Sequence, residues 1–585
     1  MKIAFLEIAP AFSNQVKLPY STSVIWSYCQ TNSYIQQNFE VDIDDWIYIH
    51  EPVDVIFEKI KDCDIIGVSN FIWNQSINNQ VCKKLKEYNK SVLIIYGGLG
   101  TPNDADNFLS QHDFIDVVVN GEGEYAFKEI LLNYPNVKKI YKSERVSNID
   151  EMPSPYLNGL FDQIVKHKSH SYNFEALIEP TRGCPYTCTF CEIGDTYFTK
   201  IKKQSTNKIF KELEWISNQK IDYMHIIDNN FGMLPLHDTI TDHLIHLNST
   251  NGYPNALNLT WAKNKKPILF SIAKKLQEAG LQKGVTIALQ SMNNKTLEAI
   301  ERSNSDNTNL KTLFKIFQKE KIPTYIELIM GLPLESAEEF KDNVYYLIDD
   351  LNYKNYVGMY VLSALPNTKF NDKHYIKEHK IKCVDTCPVF YHHTNPTDIL
   401  QQETEKVVVE TSVMKYNECI DLYVWRWFII TCHFLGWFRV FSSHLKQRYN
   451  ISHKEFYTCL FEYITNNKSF IHYEYLITKE LIKAVLKQKY PWGRVIEDVS
   501  SMYWEYEEAT SIEIAKNKDA FYSIVDDFMY EYFTWDYNKN IRYDDILEVQ
   551  INSMKDPYQH YNGNIEKWAV ECLWWGRRNE SFFNK

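Results

Sequence analysis

Cys184, Cys188 and Cys191 stand in a C-x3-C-x2-C arrangement within eight residues. Three thiolates on one short loop can hold three irons of a [4Fe–4S] cluster, which leaves the fourth iron without a protein ligand. That iron is free to chelate a small molecule through an amine and a carboxylate. Zinc is the competing occupant, but a structural zinc site takes four ligands, commonly from two closely spaced cysteine pairs. No second group of Cys or His at convincing zinc spacing accompanies the triad. Cys383 and Cys387 are an isolated pair, and Cys419, Cys432, Cys459 and Cys572 lie in helical context as expected core thiols. Twelve Cys in 585 residues are too sparse for a disulfide-stapled secreted scaffold.

The elements that must carry this loop follow from apolar periodicity. Strands are expected at Lys2–Ile8, Asp64–Val68, Ser91–Tyr96 and Phe114–Val119, with helices at Glu51–Asp62 and Asn79–Asn89 between them. That alternation predicts βαβ units and a parallel sheet. Asn136–Met152, ending in Pro153 and Pro155, reads as a linker. A second alternating stretch has strands at Ala176–Glu179, Tyr223–Asp228, Asn258–Ala262, Val285–Gln290, Thr324–Met330 and Tyr356–Ser363. Helices fall between them at Lys208–Ser217, Ile268–Ala279, Lys295–Arg302, Leu310–Lys319 and Ala337–Leu351. Six such repeats predict a (βα)6 partial TIM barrel, although a closed eight-strand barrel with two unread strands has a similar pattern; in either, chemistry lies at the C-terminal strand ends. After about His392 long amphipathic runs such as Thr404–Tyr416 and Tyr475–Gln488 predict a mainly helical region. The expected division is therefore an α/β chain with domains at 1–150, 165–394 and 395–585.

The cysteine loop, Cys184-Pro-Tyr-Thr-Cys188-Thr-Phe-Cys191, ends the first strand of the six-repeat unit and resembles the signature of the radical S-adenosylmethionine (SAM) superfamily. The resemblance implies that the open iron binds SAM and that one-electron reduction yields a 5′-deoxyadenosyl radical, with Phe190 beside the adenine. Asp228-Asn-Asn-Phe231 resembles the second-strand segment that meets the SAM amino group. Gln290, Ser291 and Arg302 resemble the fourth-strand motif, and Glu327, ahead of Gly331-Leu332-Pro333, the fifth. Leu365-Pro366-Asn367-Thr368 resembles the sixth, with Asn367 where the family usually has Gly.

A parallel sheet placed before such a barrel resembles the doubly wound cobalamin-binding domain of class B radical SAM enzymes. Its expected ligand-facing residues lie where strands end: Ser69, Asn70, Trp73 and Asn74; Gly97 and Gly98; Gly121, Glu122 and Gly123. Glycine there lets backbone approach a bulky ligand. The D-x-H-x-x-G lower-ligand motif is missing, and His50 and His112 read as surface residues. Gly97-Gly98-Leu99-Gly100 also lacks the usual proline after the glycine pair.

The family then implies a cobalamin-dependent radical SAM methyltransferase acting on an unactivated carbon of a small molecule. Its cofactors would be a [4Fe–4S] cluster, SAM and cobalamin, fed by an external donor such as flavodoxin or ferredoxin. A rearrangement, ring contraction or cyclisation without methyl transfer is one alternative, and a non-catalytic metal-stabilised binding module another. The net charge of 63 − 75 = −12 disfavours a nucleic-acid partner. The N-terminus has no signal-peptide pattern, and Trp427–Phe438 is far shorter than the roughly 20 residues a spanning helix needs. No membrane association and a cytoplasmic location are expected. Nine of the 14 Trp lie in the last third, where helical spacing makes them core residues in the main.

Overall fold

The computed structural model describes residues 1–10, 15–168, 171–263, 267–282, 284–304, 307–388, 403–487, 490–533, 543–553 and 561–574. The chain forms two compact units. The first comprises residues 1–282, 364–376 and 397–405, and the second comprises 283–363, 377–396 and 406–585.

In the first unit, β1 (Ile3–Ala9), β2 (Gln15–Lys17), β3 (Trp46–Ile49), β4 (Ile65–Ser69), β5 (Leu93–Gly97), β6 (Val117–Asn120) and β7 (Ile140–Lys142) precede the cysteine loop. Six of them make a parallel sheet in the order β3-β1-β4-β5-β6-β7. The central strands are continuous apolar runs such as Ile-Ile-Gly-Val and Leu-Ile-Ile-Tyr, as a sheet covered on both faces requires. Helices Val53–Ile60 and Gln75–Tyr88 present Ile56, Ile60, Val81 and Leu85 to Ile66, Val68 and Ile94 in one apolar core. The strand order changes direction at β1, so β1 and β4 flank the switch point where such sheets bind ligands.

The remaining strands of this unit are β8 (Asn173–Ile178), β9 (Thr181–Arg182), β10 (Lys202–Lys203), β11 (Tyr223–Phe231) and β12 (Ala256–Trp261). They include a second parallel sheet, β12-β11-β8-β2. Short β2 belongs to this sheet although its neighbours in sequence belong to the first, a placement the local pattern does not announce. The expected linker Asn136–Met152 is instead packed: it contains β7 and buries Val146, Ile149 and Met152. Its polarity comes from side chains that bond inward, as Arg145 does below.

In the second unit β13 (Val285–Gln290), β14 (Thr324–Met330) and β15 (Val357–Val361) form a three-stranded parallel sheet. The first two match the sequence expectation residue for residue. β16 (Lys382–Thr386) pairs with β17 (Glu405–Glu410), and β18 (Arg494–Ile496) with β19 (Ser500–Trp504). The other described elements after β17 are helices, so a mainly helical region is correct for the described residues. The expected helix over Thr404–Tyr416 is not: Val407-Val408-Val409 is a β-branched run that extends as a strand, and helix begins only at Tyr416. Trp427, Trp437, Trp504 and Trp568 are buried, and the indole N–H of Trp427 bonds Thr510 Oγ1 and that of Trp437 bonds Ser511 Oγ, both at 3.0 Å. All four are core residues, and Trp427 and Trp437 have satisfied donors. Trp535 and Trp575, and the 394/395 division, lie outside the described residues. No helix among the described residues is long and apolar enough to cross a membrane.

Candidate active site

The cysteine loop is wound by its own backbone. Cys191 N–H donates to Cys188 O at 3.0 Å, and Gly194 N–H to Cys191 O at 2.9 Å. A Cβ at Gly194 would lie 2.2 Å from Cys188 O, so only glycine closes this turn. The loop is tied at both ends, Cys184 N–H to Phe198 O at 3.0 Å and Lys369 N–H to Thr189 O at 3.1 Å. None of the three cysteines is in a disulfide; Cys188 is buried and the others are half-buried. Burial pushes the Cys191 thiol up to about 11, so its thiolate needs the positive charge of a metal centre to form. Among the described residues, no three His, Cys, Asp or Glu side chains converge closely enough for a single ion. A four-iron cluster does not require that convergence, because it spreads its thiolates over separate irons. The donor set therefore fits a cluster. Phe190 is half-buried between Cys188 and Cys191 in the same loop. Glu192 follows it, held up to about 7 by burial.

Asp228, near the end of β11, is buried and committed within the protein. Its Oδ2 accepts from Thr181 Oγ1 and lies 3.2 Å from His237 Nε2, while Oδ1 accepts the Asn230 N–H at 2.7 Å. Asn230 in turn donates its Nδ2–H to Cys184 Sγ at 3.2 Å. Sequence reasoning placed Asp228 here and missed His237, whose only signal is a histidine one helical turn past the strand.

The loop preceding Cys184 is held by buried charge. Arg182 contacts Glu124 and Glu179 at 2.8 Å each and Glu122 at 3.3 Å. Glu122 also accepts from Arg145 Nε at 3.0 Å and from Val146 N–H at 2.6 Å. Thus Glu122, singled out as a ligand-facing residue, spends both oxygens on the protein and joins the end of β6 to the cysteine loop. Gly121 is needed for a left-handed turn (φ +94°), where a Cβ would meet Tyr197 Oη at 2.7 Å, and a Cβ on Gly123 would strike Ile25.

At the ends of β4 and β5, the glycines serve loop-on-loop packing. A Cβ on Gly98 would lie 2.7 Å from Asn70 O, and Asn70 N–H donates to Gly97 O at 2.7 Å. Gly97 itself has room for a Cβ at ordinary contact distance. Asn74 is a brace: it donates to Ile8 O and Ser69 O and accepts from Phe71 N–H. Trp73 stacks on Phe71 at 4.4 Å, both half-buried. Asn70 differs from all of these, being fully buried with both side-chain amide atoms unpartnered among the described residues. A buried amide left unpaired is costly, so this position fits a polar edge of a bound ligand. Neither histidine near this sheet is a plain surface residue: both are half-buried, and burial holds His50 down to about 4. Two partners from far along the chain were not legible beforehand. Glu403 caps the helix Gln75–Tyr88 by accepting Ser76 N–H at 2.8 Å and Ile77 N–H at 2.9 Å. Asn367, the departure from the family's glycine, donates to Leu99 O at 2.8 Å and Thr101 O at 3.0 Å and accepts Asn103 N–H at 2.8 Å. The two deviations from the family pattern, at Asn367 and in the Gly97–Gly100 loop, therefore meet.

The other expected SAM residues belong to the second unit. Gln290 ends β13 in a left-handed conformation (φ 65°), with its buried Oε1 unpartnered among the described residues. Ser291 Oγ donates to Glu335 Oε1 at 2.6 Å, and Asn343 Nδ2 donates to the same oxygen at 2.8 Å. Arg302 donates to Ala288 O and to Asn304, whose amide holds Leu289 O and Ser291 O. Glu327 is half-buried in β14, in register with Ala288 and Gly358.

Residues 178–345 match the model of the radical SAM superfamily, and residues 32–131 match that of the B12 binding domain. The chain thus carries a radical SAM domain and a B12-binding domain, with [4Fe–4S], SAM and cobalamin as cofactors. It is 29% identical over 467 residues, 77% of this chain and 68% of the relative, to the cobalamin-dependent radical SAM methyltransferase TokK of Streptomyces tokunonensis. It is also 29% identical over 465 residues, 76% of this chain and 68% of the relative, to the 2-(S-pantetheinyl)-carbapenam-3-carboxylate methyltransferase of Streptantibioticus cattleyicolor. Its fold is similar to that of the cobalamin-dependent SAM radical enzyme OxsB with aqua-cobalamin and SAM bound. That match has a TM-score of 0.52 at 13% identity and covers 97% of this chain and 83% of the other. Within the family, the chain is a methylating enzyme.

Proposed function

We propose that this enzyme methylates an unactivated carbon of a small carboxylic acid of the carbapenam type, with Cys184, Cys188 and Cys191 as the cluster ligands. The observation that carries the reading is the cysteine loop itself, closed on its own carbonyls and anchored through Arg182 to Glu122 and Glu124 of the cobalamin-type domain. The carbapenam acid is taken from the Streptantibioticus relative's substrate. When bound, the cluster with SAM supplies hydrogen-atom abstraction and cobalamin supplies the methyl group.

The protein's part is to hold and orient. Phe190 stacks beside the SAM adenine, and the open oxygen of Gln290 accepts from SAM. Asp228, Ser291, Arg302 and Glu327 support those contacts from behind. Asn70 would pair with a polar group of cobalamin, and Phe71 and Trp73 would offer it an aromatic surface. Ser69, Asn74, Gly97, Gly98, Gly121, Glu122 and Gly123 fix the loops around it. An external donor of the flavodoxin or ferredoxin type delivers the electron, in a reducing compartment such as the cytoplasm. The −12 charge supports a small-molecule substrate rather than a nucleic acid.

The test is anaerobic reconstitution of the protein and of a Cys184→Ala, Cys188→Ala, Cys191→Ala variant. The wild type should take up iron and sulfide and cleave SAM, and the variant should do neither. SAM cleavage retained by the variant would overturn the ligand assignment.

A further inference from the structure

We propose that Asn230 raises the reduction potential of the iron–sulfur cluster by donating its amide N–H to the Cys184 thiolate, in an orientation fixed by Asp228 and His237. The inference rests on Cys184 being a cluster ligand. Asn230 is buried, and its Nδ2 lies 3.2 Å from Cys184 Sγ. A thiolate only accepts, so the amide must turn its nitrogen toward the sulfur. Reduction adds negative charge that is shared with the ligating sulfurs. A donor aimed at one of them therefore stabilises the reduced cluster more than the oxidised one. Burial excludes the water that would otherwise provide the same bond.

The orientation is held from behind. Asn230 N–H is fixed on Asp228 Oδ1 at 2.7 Å, and Asp228 Oδ2 takes the Thr181 hydroxyl. His237 is fully buried and stacks on Phe231 at 4.7 Å with 12° between the rings. Its Nδ1 accepts the Gly232 N–H at 2.8 Å, which puts the ring proton on Nε2, 3.2 Å from Asp228 Oδ2. The strand end from Asp228 to Gly232 is thus closed on both sides. Asn230 is a positioning residue, acting on the cluster through a ligand.

The experiment is an EPR-monitored redox titration of the reconstituted full-length enzyme without added SAM. Asn230→Leu, similar in size but without a donor, should take up an electron about tenfold less readily, a midpoint about 59 mV more negative for a one-electron couple. His237→Phe, which keeps the stack on Phe231 but removes the acceptor of the Gly232 N–H, should shift it in the same direction by less. An unchanged midpoint in Asn230→Leu with full iron and sulfide would overturn the proposal. If that variant does not retain its cluster, pulsed EPR of wild type carrying 15N-asparagine decides. A 15N coupling to the reduced cluster is expected, and none would overturn the proposal. A wild type that takes up no iron and sulfide would instead refute the ligand assignment, and the proposal with it.

Discussion

Two strand ends of the radical SAM domain solve opposite problems. At the end of β11, Asp228 accepts from Thr181 and Asn230 and Asn230 donates to Cys184, while His237 Nε2 lies 3.2 Å from Asp228 Oδ2 without a hydrogen bond among the described residues. At the end of β13, the scaffold is equally well bonded through Arg302, Asn304 and the Ser291–Glu335 pair. It stops at Gln290, which has a left-handed backbone and a buried oxygen that nothing among the described residues meets. A non-glycine residue in that conformation costs on the order of 1 kcal/mol or more, and it persists where the surroundings impose it. The first end spends Asp228 and Asn230 on protein groups and serves a metal ligand. The second holds one strained acceptor in place for a ligand to satisfy.

That contrast can be broken by substitution. Asp228→Ala leaves two buried donors, the Thr181 hydroxyl and the Asn230 N–H, without an acceptor and should cost about 2–5 kcal/mol. Calorimetry would show a large fall in Tm, and a fall of under a degree would mean that the β11 network does not hold the strand end. Glu335→Gln probes the scaffold under β13. Burial holds the Glu335 carboxyl up to about 7, against an ordinary 4.5, so the folded state binds its proton more tightly than the unfolded chain. Stability from this group is therefore lost as pH rises from about 4.5 to about 7, by up to about 3 kcal/mol at 1.36 kcal/mol per pH unit. The variant should gain on wild type across that window and hold a constant lead above it. Equal denaturant midpoints at pH 5 and pH 8 would remove Glu335 as a buried titrating group. Gln290→Gly should relieve the strain and raise stability by about 1 kcal/mol while weakening SAM binding roughly tenfold. Calorimetric titration with SAM checks this, and unchanged affinity would show that the open oxygen does not meet the cofactor.

Much of this was legible in sequence because the relevant signals are local. Val285–Gln290 and Thr324–Met330 are apolar β-branched runs closed by polar residues or glycine, and their bounds came out as read. The cysteine loop is a motif of eight consecutive positions. What could not be read depends on partners far away in the chain. Glu403 meets Ser76 across 327 residues, and Asn367 meets Leu99 across 268. Neither leaves a mark on its own neighbourhood. Glu122 and Asn74 lie at the expected strand ends, but their protein partners were not legible, because spacing locates a side chain without showing what satisfies it. β17 departs from the helical expectation because Val407, Val408 and Val409 are consecutive β-branched residues that favour strand.

The central claim is that the assembled centre transfers a methyl group by radical chemistry. The most direct test incubates the reconstituted enzyme anaerobically with reductant, cobalamin, a carbapenam carboxylate and SAM bearing a CD3 group, and analyses the products by mass spectrometry. The account predicts a substrate 17 mass units heavier, CD3 replacing H, with S-adenosylhomocysteine and 5′-deoxyadenosine in equal amounts. 5′-Deoxyadenosine formed with a rearranged, unlabelled product and no S-adenosylhomocysteine would contradict it.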